Sequence, residues 1–151
     1  MPRKTPDIGS ADVPQAPSLA RIRAVLTAVA AGAATLDVIA EETDISARHV
    51  GHAARAAQAL DLLDGKRAPT ARGHALLATD QESPEERAAF HAAVEESAIV
   101  QALAPSLLAE KPPSKKTLAA RIERITGLSP TTAEHRAEDL LAWREQILQE
   151  D

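Results

Sequence analysis

The feature that most constrains the fold of this chain is a pattern of helix, tight turn and helix between residues 35 and 60. Ile39 and Ala40 form an apolar pair in a short first helix, and a polar turn closes on Ile45. Ser46 then caps a second helix that carries basic residues. This order predicts a helix-turn-helix that presents its second helix to DNA.

The residues that follow the second helix predict a small β-hairpin, or wing. The dipeptide Asp64-Gly65 is a strong signal for a two-residue hairpin loop, because both residues tolerate the positive φ that such a loop needs. Lys66 and Arg67 would lie at the tip of this wing, within reach of a phosphate backbone. A further helix comes next, so we expect residues 18–80 to form a winged helix-turn-helix domain.

The composition favours close-packed helices over a sheet-rich fold. The chain has 151 residues, of which 44% are hydrophobic, and its aromatic side chains are Phe90 and Trp143. Alanine and leucine supply most of the apolar surface, and both are good helix formers. The expected fold class is mainly α, with a winged helix-turn-helix followed by a second helical helix-turn-helix unit. Trp143 is expected to be a buried anchor of the last helix, not a stacking platform.

Several classes of protein are excluded by what the sequence lacks. The absence of cysteine excludes a disulfide framework, cysteine-ligated zinc and cysteine catalysis. No stretch approaches the roughly 20 apolar residues of a membrane span, and the N-terminus has no hydrophobic signal core. We therefore expect a soluble cytoplasmic protein that has no membrane partner.

Charge is distributed unevenly along the chain, although the net charge is −5. With histidine counted as neutral, residues 46–74 carry +3 and residues 111–126 carry +4. Residues 75–110 carry −6 and residues 127–151 carry −4. Because partner choice follows the local field more than the net charge, the two basic stretches favour a polyanion. The acidic helices could form a homodimer interface or contact a protein partner.

Proline and glycine mark the organisation of the chain. Residues 1–17 contain four prolines and few apolar residues, which predicts a disordered arm. Residues 81–151 are expected to form a helical domain, with a break near residues 111–115 where two prolines occur. After that break, Gly127 ends one helix and Ser129 caps the last, which predicts the second helix-turn-helix.

The spacing along the first recognition helix predicts which side chains contact DNA. With Val50 at the centre of the buried face, Arg48, His52 and Arg55 lie close to the opposite side. Arginine can bind guanine through two hydrogen bonds, and histidine can bind a base edge or a phosphate. Gly51 costs about 1 kcal/mol in a helix relative to alanine, which a close approach to phosphate would compensate. The alternative is that this face is simply solvated.

The second unit offers candidates of two kinds. Its candidates for base contact lie in the first turns of the last helix and are Thr131, Thr132, His135 and Arg136. Its candidates for backbone contact are Lys115, Lys116 and Arg121. The acids Glu134, Glu138 and Asp139 lie alongside the first group and would repel phosphate, so a structural role for this helix remains open.

Enzyme activity has little support in the sequence. His91 and Glu95, like His49 and His52, have the spacing of two metal ligands on one helix, but neither pair has a third ligand at a matching position. No glycine-rich phosphate loop and no nucleophile motif occurs. We therefore predict no catalytic residue, no metal site and no cofactor.

Short motifs in both halves of the chain resemble those of a known group of proteins. The residues that carry the resemblance are Leu60, Leu62, Leu63, Thr70, Gly73, Leu76 and Leu77, followed by Ser129, Thr132, Arg136, Leu140, Trp143 and Ile147. Over residues 19–149 the chain resembles the tandem winged-helix and helix-turn-helix DNA-binding modules of bacterial regulators and of restriction or defence proteins. The resemblance implies DNA recognition without chemistry of its own.

These features together predict a sequence-specific double-stranded DNA-binding protein, either a transcriptional regulator or a DNA-targeting accessory factor. A homodimer is expected, because one small basic face rarely suffices for a specific site and two-fold operators favour dimers. The alternative function is that of a protein–protein interaction adaptor that uses the helix-turn-helix scaffold.

Overall fold

The computed structural model describes residues 8–149, which form eight α-helices joined by short connections. The helices are α1 (Leu19–Ala30), α2 (Leu36–Thr43), α3 (Ala47–Ala59), α4 (Ala71–Leu77), α5 (Pro84–Glu96), α6 (Ala98–Leu103), α7 (Lys115–Thr126) and α8 (Pro130–Ile147). A turn of 3-10 helix, Ser10–Asp12, precedes α1. The prediction of a mainly α fold is confirmed. No helix within residues 8–149 is long and apolar enough to cross a membrane.

Serine and threonine caps explain where these helices begin. In every α-helix of the described chain, the hydroxyl of the N-cap residue accepts a hydrogen bond from the backbone N–H three residues later. A cap of this kind contributes about 1 kcal/mol, because it satisfies a backbone donor that the helix leaves unpaired. The caps are Ser18, Thr35, Ser46, Thr70, Ser83, Ser97, Ser114 and Ser129.

Both predicted helix-turn-helix pairs share one turn geometry. The first helix of each pair ends at a residue in the left-handed conformation, Asp44 after α2 and Gly127 after α7. A short turn then leads to the serine that caps the second helix, Ser46 for α3 and Ser129 for α8. Helices α1, α2 and α3 pack against one another, while α7 and α8 form the most extensive helix pair.

The segment between α3 and α4 differs from the predicted two-stranded wing. Within the described residues it forms no strand, and its pairing is a single antiparallel bridge between Leu63 and Pro69. The loop has three residues: Asp64 N donates to Ala68 O (2.8 Å), and Arg67, at φ 61°, follows the turn. Two features explain why the predicted pair of strands does not form. The Asp64 carboxylate accepts hydrogen bonds from the N–H groups of Lys66 and Ala68, and Pro69 has no N–H with which to extend a strand ladder.

The core extends across the expected domain boundary at residue 80. Buried side chains from α1 to α4 and from α5 to α8 belong to one hydrophobic cluster, with Phe90 and Trp143 among its largest members. Polar contacts also cross the boundary. Arg23 of α1 forms a salt bridge with Glu86 of α5 (2.6 Å), and the Ser97 hydroxyl donates to Ala59 O at the end of α3 (2.7 Å). The two halves are therefore packed as one body.

The N-terminal segment, residues 8–17, was expected to be part of a disordered arm, but it packs against the helices. Its Ile8, Val13 and Ala16 are buried, and the Trp143 indole N–H donates to Ala16 O (2.6 Å). Gln146 of α8 donates to the carbonyl of the segment's last residue (2.6 Å). The segment is ordered by the burial of its apolar side chains and by the hydrogen bonds that α8 donates to its carbonyl groups, although its proline content suggested disorder. Residues 1–7 of the predicted arm lie outside the described residues.

Candidate nucleic-acid interface

Helix α3 separates a buried face from a basic one. Val50, Ala54 and Ala57 are buried against the rest of the unit, and Arg48 and Arg55 are exposed. The helix carries no acidic residue, and its N-cap, Ser46, is also uncharged. The buried positions thus orient the two arginines toward solvent, as the helical spacing predicted.

The N-terminal segment lies beside part of this basic face. Arg55 Nη2 donates to Ala11 O at 3.3 Å, and Gly51, His52 and Arg55 form one wall of a groove whose other wall is the segment. Gly51 is not required by packing, since a Cβ there would meet only Leu36 Cδ1 at 3.8 Å. Of the predicted reading residues, Arg48 and His52 make no side-chain hydrogen bond or salt bridge with a residue that the structure describes.

The first turns of α8 contact the N-terminal segment that lies beside α3. Arg136 Nη2 donates to the Gln15 side-chain oxygen at 2.8 Å, and Gln15 lines a cleft with His52 of α3. The pKa of His52 lies below its usual value, first because burial disfavours the charged ring and then because Arg48, His49 and Arg136 repel it. His52 is therefore mainly neutral at pH 7. The N-terminal segment links α3 to α8 through Arg55 and Arg136.

The loop after α3 presents two further cations. Lys66 is exposed and Arg67 is half-buried, and neither side chain has a hydrogen bond or salt bridge within residues 8–149. The two backbone hydrogen bonds that Asp64 accepts hold its pKa below the usual value, so it stays ionised and keeps the loop closed. The loop thus holds Lys66 and Arg67 at its tip although it is not a β-hairpin with two strands.

Two basic residues of α7, Lys115 and Arg121, have partners inside the protein. Lys115 Nζ lies 3.1 Å from Glu134 Oε1 and 3.2 Å from Glu138 Oε1, and these acids raise the pKa of Lys115. Arg121 donates through Nε and Nη2 to Ala102 O at 3.0 and 2.9 Å. Both were predicted to contact the DNA backbone, but these contacts anchor α7 to its neighbours. Lys116 is exposed and has no comparable partner among the described residues.

Two other predicted residues of α8 face solvent to different degrees. His135 is exposed, while Thr132 is half-buried and its hydroxyl accepts from the Ser129 hydroxyl at 3.0 Å. Thr132 therefore supports the capped end of α8. The pKa of the nearby Asp139 carboxyl is raised, because burial disfavours its charge more than Arg136 and His135 stabilise it.

Sequence reasoning missed two cationic side chains of this surface. Arg21 of α1 is exposed and lines a small cleft together with His49 and His52 of α3. His49 Nδ1 lies 2.8 Å from the Ser46 hydroxyl, so the helix cap holds the ring. The three-residue spacing between Ser46 and His49 was a signal for that contact, whereas Arg21 belongs to a different helix and gave none.

Histidine and carboxylate side chains do not cluster in the described part of the chain. No group of three or more lies close enough to hold a metal ion. Of the two pairs with ligand spacing, His91 Nδ1 lies 2.7 Å from Glu95 Oε1, and the rings of His49 and His52 lie 6.2 Å apart, edge to face. Comparisons with protein-family models, with curated proteins and with solved structures found no match. The function is therefore inferred from the residues of this interface.

Proposed function

We propose that this protein binds double-stranded DNA through its first helix-turn-helix, with α3 in the major groove and the loop Gly65–Arg67 on the phosphate backbone. The observation that carries this proposal is that several basic side chains of this unit have no partner among the described residues. In a chain of net charge −5, the side chains of Arg48, Lys66 and Arg67 have no hydrogen bond or salt bridge within residues 8–149. By contrast, Arg23 and Lys115 are each paired with carboxylates.

Each cation of the first unit has a distinct role in this proposal. Arg48 follows the N-cap of α3 by two positions, where a recognition helix enters the groove, and its guanidinium reads a base edge. Lys66 and Arg67 neutralise phosphates and release counterions, so they set affinity and not sequence preference. Arg55 contributes after it exchanges the long hydrogen bond to Ala11 O for a contact with DNA.

The resemblance noted from the sequence supports the biological setting of this proposal. Tandem winged-helix and helix-turn-helix modules recognise DNA without performing chemistry, which suits a transcriptional regulator or a DNA-targeting accessory factor. A symmetric dimer on a two-fold site would double the small basic surface of one chain. The single-bridge loop is a reduced form of the wing in this reading.

The proposal is tested by selecting bound fragments from random duplex DNA at two salt concentrations and then titrating the selected site. We expect affinity to fall steeply as salt rises, because each neutralised phosphate releases counterions. Changing Lys66 and Arg67 together to alanine should weaken binding to all sequences alike and reduce the salt slope by roughly 1 to 2. Arg48→Ala should instead cost about 1 to 3 kcal/mol on the selected site and relax discrimination at one base pair.

Arg124→Ala is the matched control, because Arg124 is an exposed arginine on α7 that lies outside the proposed interface. Its affinity and salt slope should stay close to those of the unchanged protein. If no duplex is bound even at low salt, the DNA proposal fails and the adaptor function takes its place. Equal losses for Arg48→Ala on every sequence would show that Arg48 contacts only the backbone.

A further inference from the structure

Basic side chains from three helices lie around the cleft that contains His52. Arg48 and His49 share its helix, and Arg136 of α8 donates to the side-chain oxygen of Gln15, which lines the cleft together with His52. Arg21 of α1 completes the set, because it lines the same small cleft as His49 and His52. The residues of the N-terminal segment in that cleft are uncharged. Like charges are therefore concentrated where the two helix-turn-helix units meet.

The cleft beside His49 and His52 has no acidic residue in its lining. Asp139 interacts with Arg136 on α8, but it does not line this cleft. The Asp12 carboxylate of the N-terminal segment accepts a hydrogen bond from Gly9 N at 2.9 Å. Basic side chains that repel one another in this way are stabilised when an anion binds among them. Perturbed pKa values of this kind are common at functional sites.

We propose that a phosphate group binds between α3 and the start of α8, beside Arg48, His52 and Arg136, and that binding protonates His52. Guanidinium groups and an imidazolium are strong hydrogen-bond donors to phosphate oxygens. This inference rests on the proposed function in one respect: the source of the phosphate is the backbone of the duplex that α3 reads. Both helix-turn-helix units then contact one duplex, which assigns Arg136 to the interface although Lys115 and Arg121 of α7 are paired within the protein.

Protonation gives the site a pH signature. In the free protein His52 is neutral at pH 7, because its pKa lies below 6.5. A bound phosphate stabilises the imidazolium and raises that pKa, so binding takes up a proton. Affinity should rise as pH falls through the interval between the bound and free pKa values. For one proton the rise cannot exceed about tenfold per pH unit.

The test titrates a labelled duplex at several pH values and salt concentrations with matched pairs of variants. Arg136→Gln should weaken binding several-fold and reduce the salt slope by about 1, whereas Arg124→Gln on α7 should do neither. His52→Gln should flatten the pH dependence of affinity. His74→Gln, which changes an exposed histidine of α4, should leave that dependence intact.

Two further variants separate a phosphate contact from a structural role of Arg136. Gln15→Ala removes the hydrogen bond between Arg136 and the N-terminal segment but keeps the guanidinium of Arg136. Duplex affinity should therefore stay within about twofold, a difference of roughly 0.4 kcal/mol. Arg136→Lys keeps the charge and should restore the salt slope while recovering only part of the affinity. If Gln15→Ala reproduced the loss caused by Arg136→Gln, Arg136 would act by holding the segment and the phosphate site would be wrong.

A second arm uses inorganic phosphate alone and follows the His52 ring resonances by NMR. Shifts that saturate, and that Arg136→Gln abolishes, would support the site even if no duplex were bound and the proposed function had failed. Duplex binding that depends on Arg48 but is unaffected by Arg136→Gln and His52→Gln would overturn the junction site and leave the proposed function standing. Loss of both duplex and phosphate binding would overturn both.

Discussion

The two predicted helix-turn-helix units have similar backbones and different surfaces. Each has a left-handed residue at the turn, Asp44 or Gly127, and a serine cap on the second helix. Helix α3 carries no acid, whereas α8 presents Glu134 and Glu138 to Lys115 of its partner helix. Caps and turn residues encode the motif, but its use depends on which charges the rest of the fold leaves unpaired.

The second unit, through α8, also contributes larger buried side chains than α3 does, and it donates hydrogen bonds to other segments. Trp143 of α8 is completely buried and holds the N-terminal segment through Ala16 O, while α3 contributes mainly alanines to the core. Arg144 donates to Leu107 O and Ala109 O and fixes the connection before α7. The second unit thus supports the fold, and the first unit presents the exposed cations to which we assign DNA binding.

The strongest test of this division replaces Trp143. Trp143→Ala should cost about 3 to 5 kcal/mol of unfolding free energy, because it empties a large buried volume and leaves Ala16 O without its donor. Trp143→Phe keeps most of the volume and should cost less. Thermal and denaturant unfolding followed by circular dichroism measure both. An unchanged melting temperature together with lost DNA binding would make the indole part of the interface and break the division.

Two glycines of the first unit provide a second test, because they lie in helices with different surroundings. A Cβ at Gly73 would collide with Leu62 O, which explains why α4 can pack so close to the loop. Gly73→Ala should therefore destabilise the protein by about 1 to 3 kcal/mol. Gly51→Ala has room and should stabilise it by up to about 1 kcal/mol.

Denaturant midpoints of the two glycine variants measure this contrast. A loss of stability in Gly51→Ala would show that the N-terminal segment packs more tightly on α3 than its groove suggests. A more stable Gly51→Ala protein with weaker DNA binding would support the hypothesis that this glycine allows a close approach to phosphate.

Local features of the fold could be predicted from the sequence, while contacts between distant parts could not. The helix starts at Ser46, Ser83 and Ser129 depend on side chains that bond three residues away, so spacing alone locates them. The order of residues 8–17 depends on Trp143, at the other end of the chain. Composition reported only the prolines of that segment.

The same distinction applies to the candidate site. The exposed face of α3 follows from helical periodicity around Val50. The pairing of Lys115 with two acids of α8 requires the packing of α7 on α8. The contact of Arg136 with Gln15 joins residues that are 121 positions apart in the sequence. The loop at Asp64 was correctly placed but misjudged in detail, because the carboxylate competes for the N–H groups of a longer turn.

Removing the acids of α8 should make the second unit more like the first. In Glu134→Gln/Glu138→Gln, Lys115 loses both carboxylate partners, so duplex affinity should rise several-fold at low salt and the salt slope should steepen by about 1. Lys115→Ala in the unchanged background should have little effect. A control with Glu85→Gln and Glu110→Gln changes the net charge equally at exposed positions elsewhere. An equal gain of duplex affinity in the control would show that the effect comes from net charge and not from the release of Lys115.

The smallest expected effect is a pH dependence of stability with opposite signs in the two units. The folded-state pKa of His52 is depressed, so the unfolded chain binds more protons near pH 6 and the contribution of His52 is lost as pH falls through 6.5 to the folded pKa. The folded-state pKa of Asp139 is raised, so its contribution is present below pH 3.8 and is lost as pH rises through the folded pKa.

Melting temperatures between pH 3 and pH 8 measure these contributions as differences from the unchanged protein. His52→Gln should reduce the destabilisation between pH 7 and the folded pKa of His52, and His74→Gln should not. Asp139→Asn should stabilise the protein at pH 7, because burial disfavours the charged form of this carboxyl, and should lose that advantage as pH falls toward 3.8. Parallel curves for His52→Gln and the unchanged protein would mean that neither burial nor the neighbouring cations lower the pKa of His52, and the electrostatic contrast between the units would disappear.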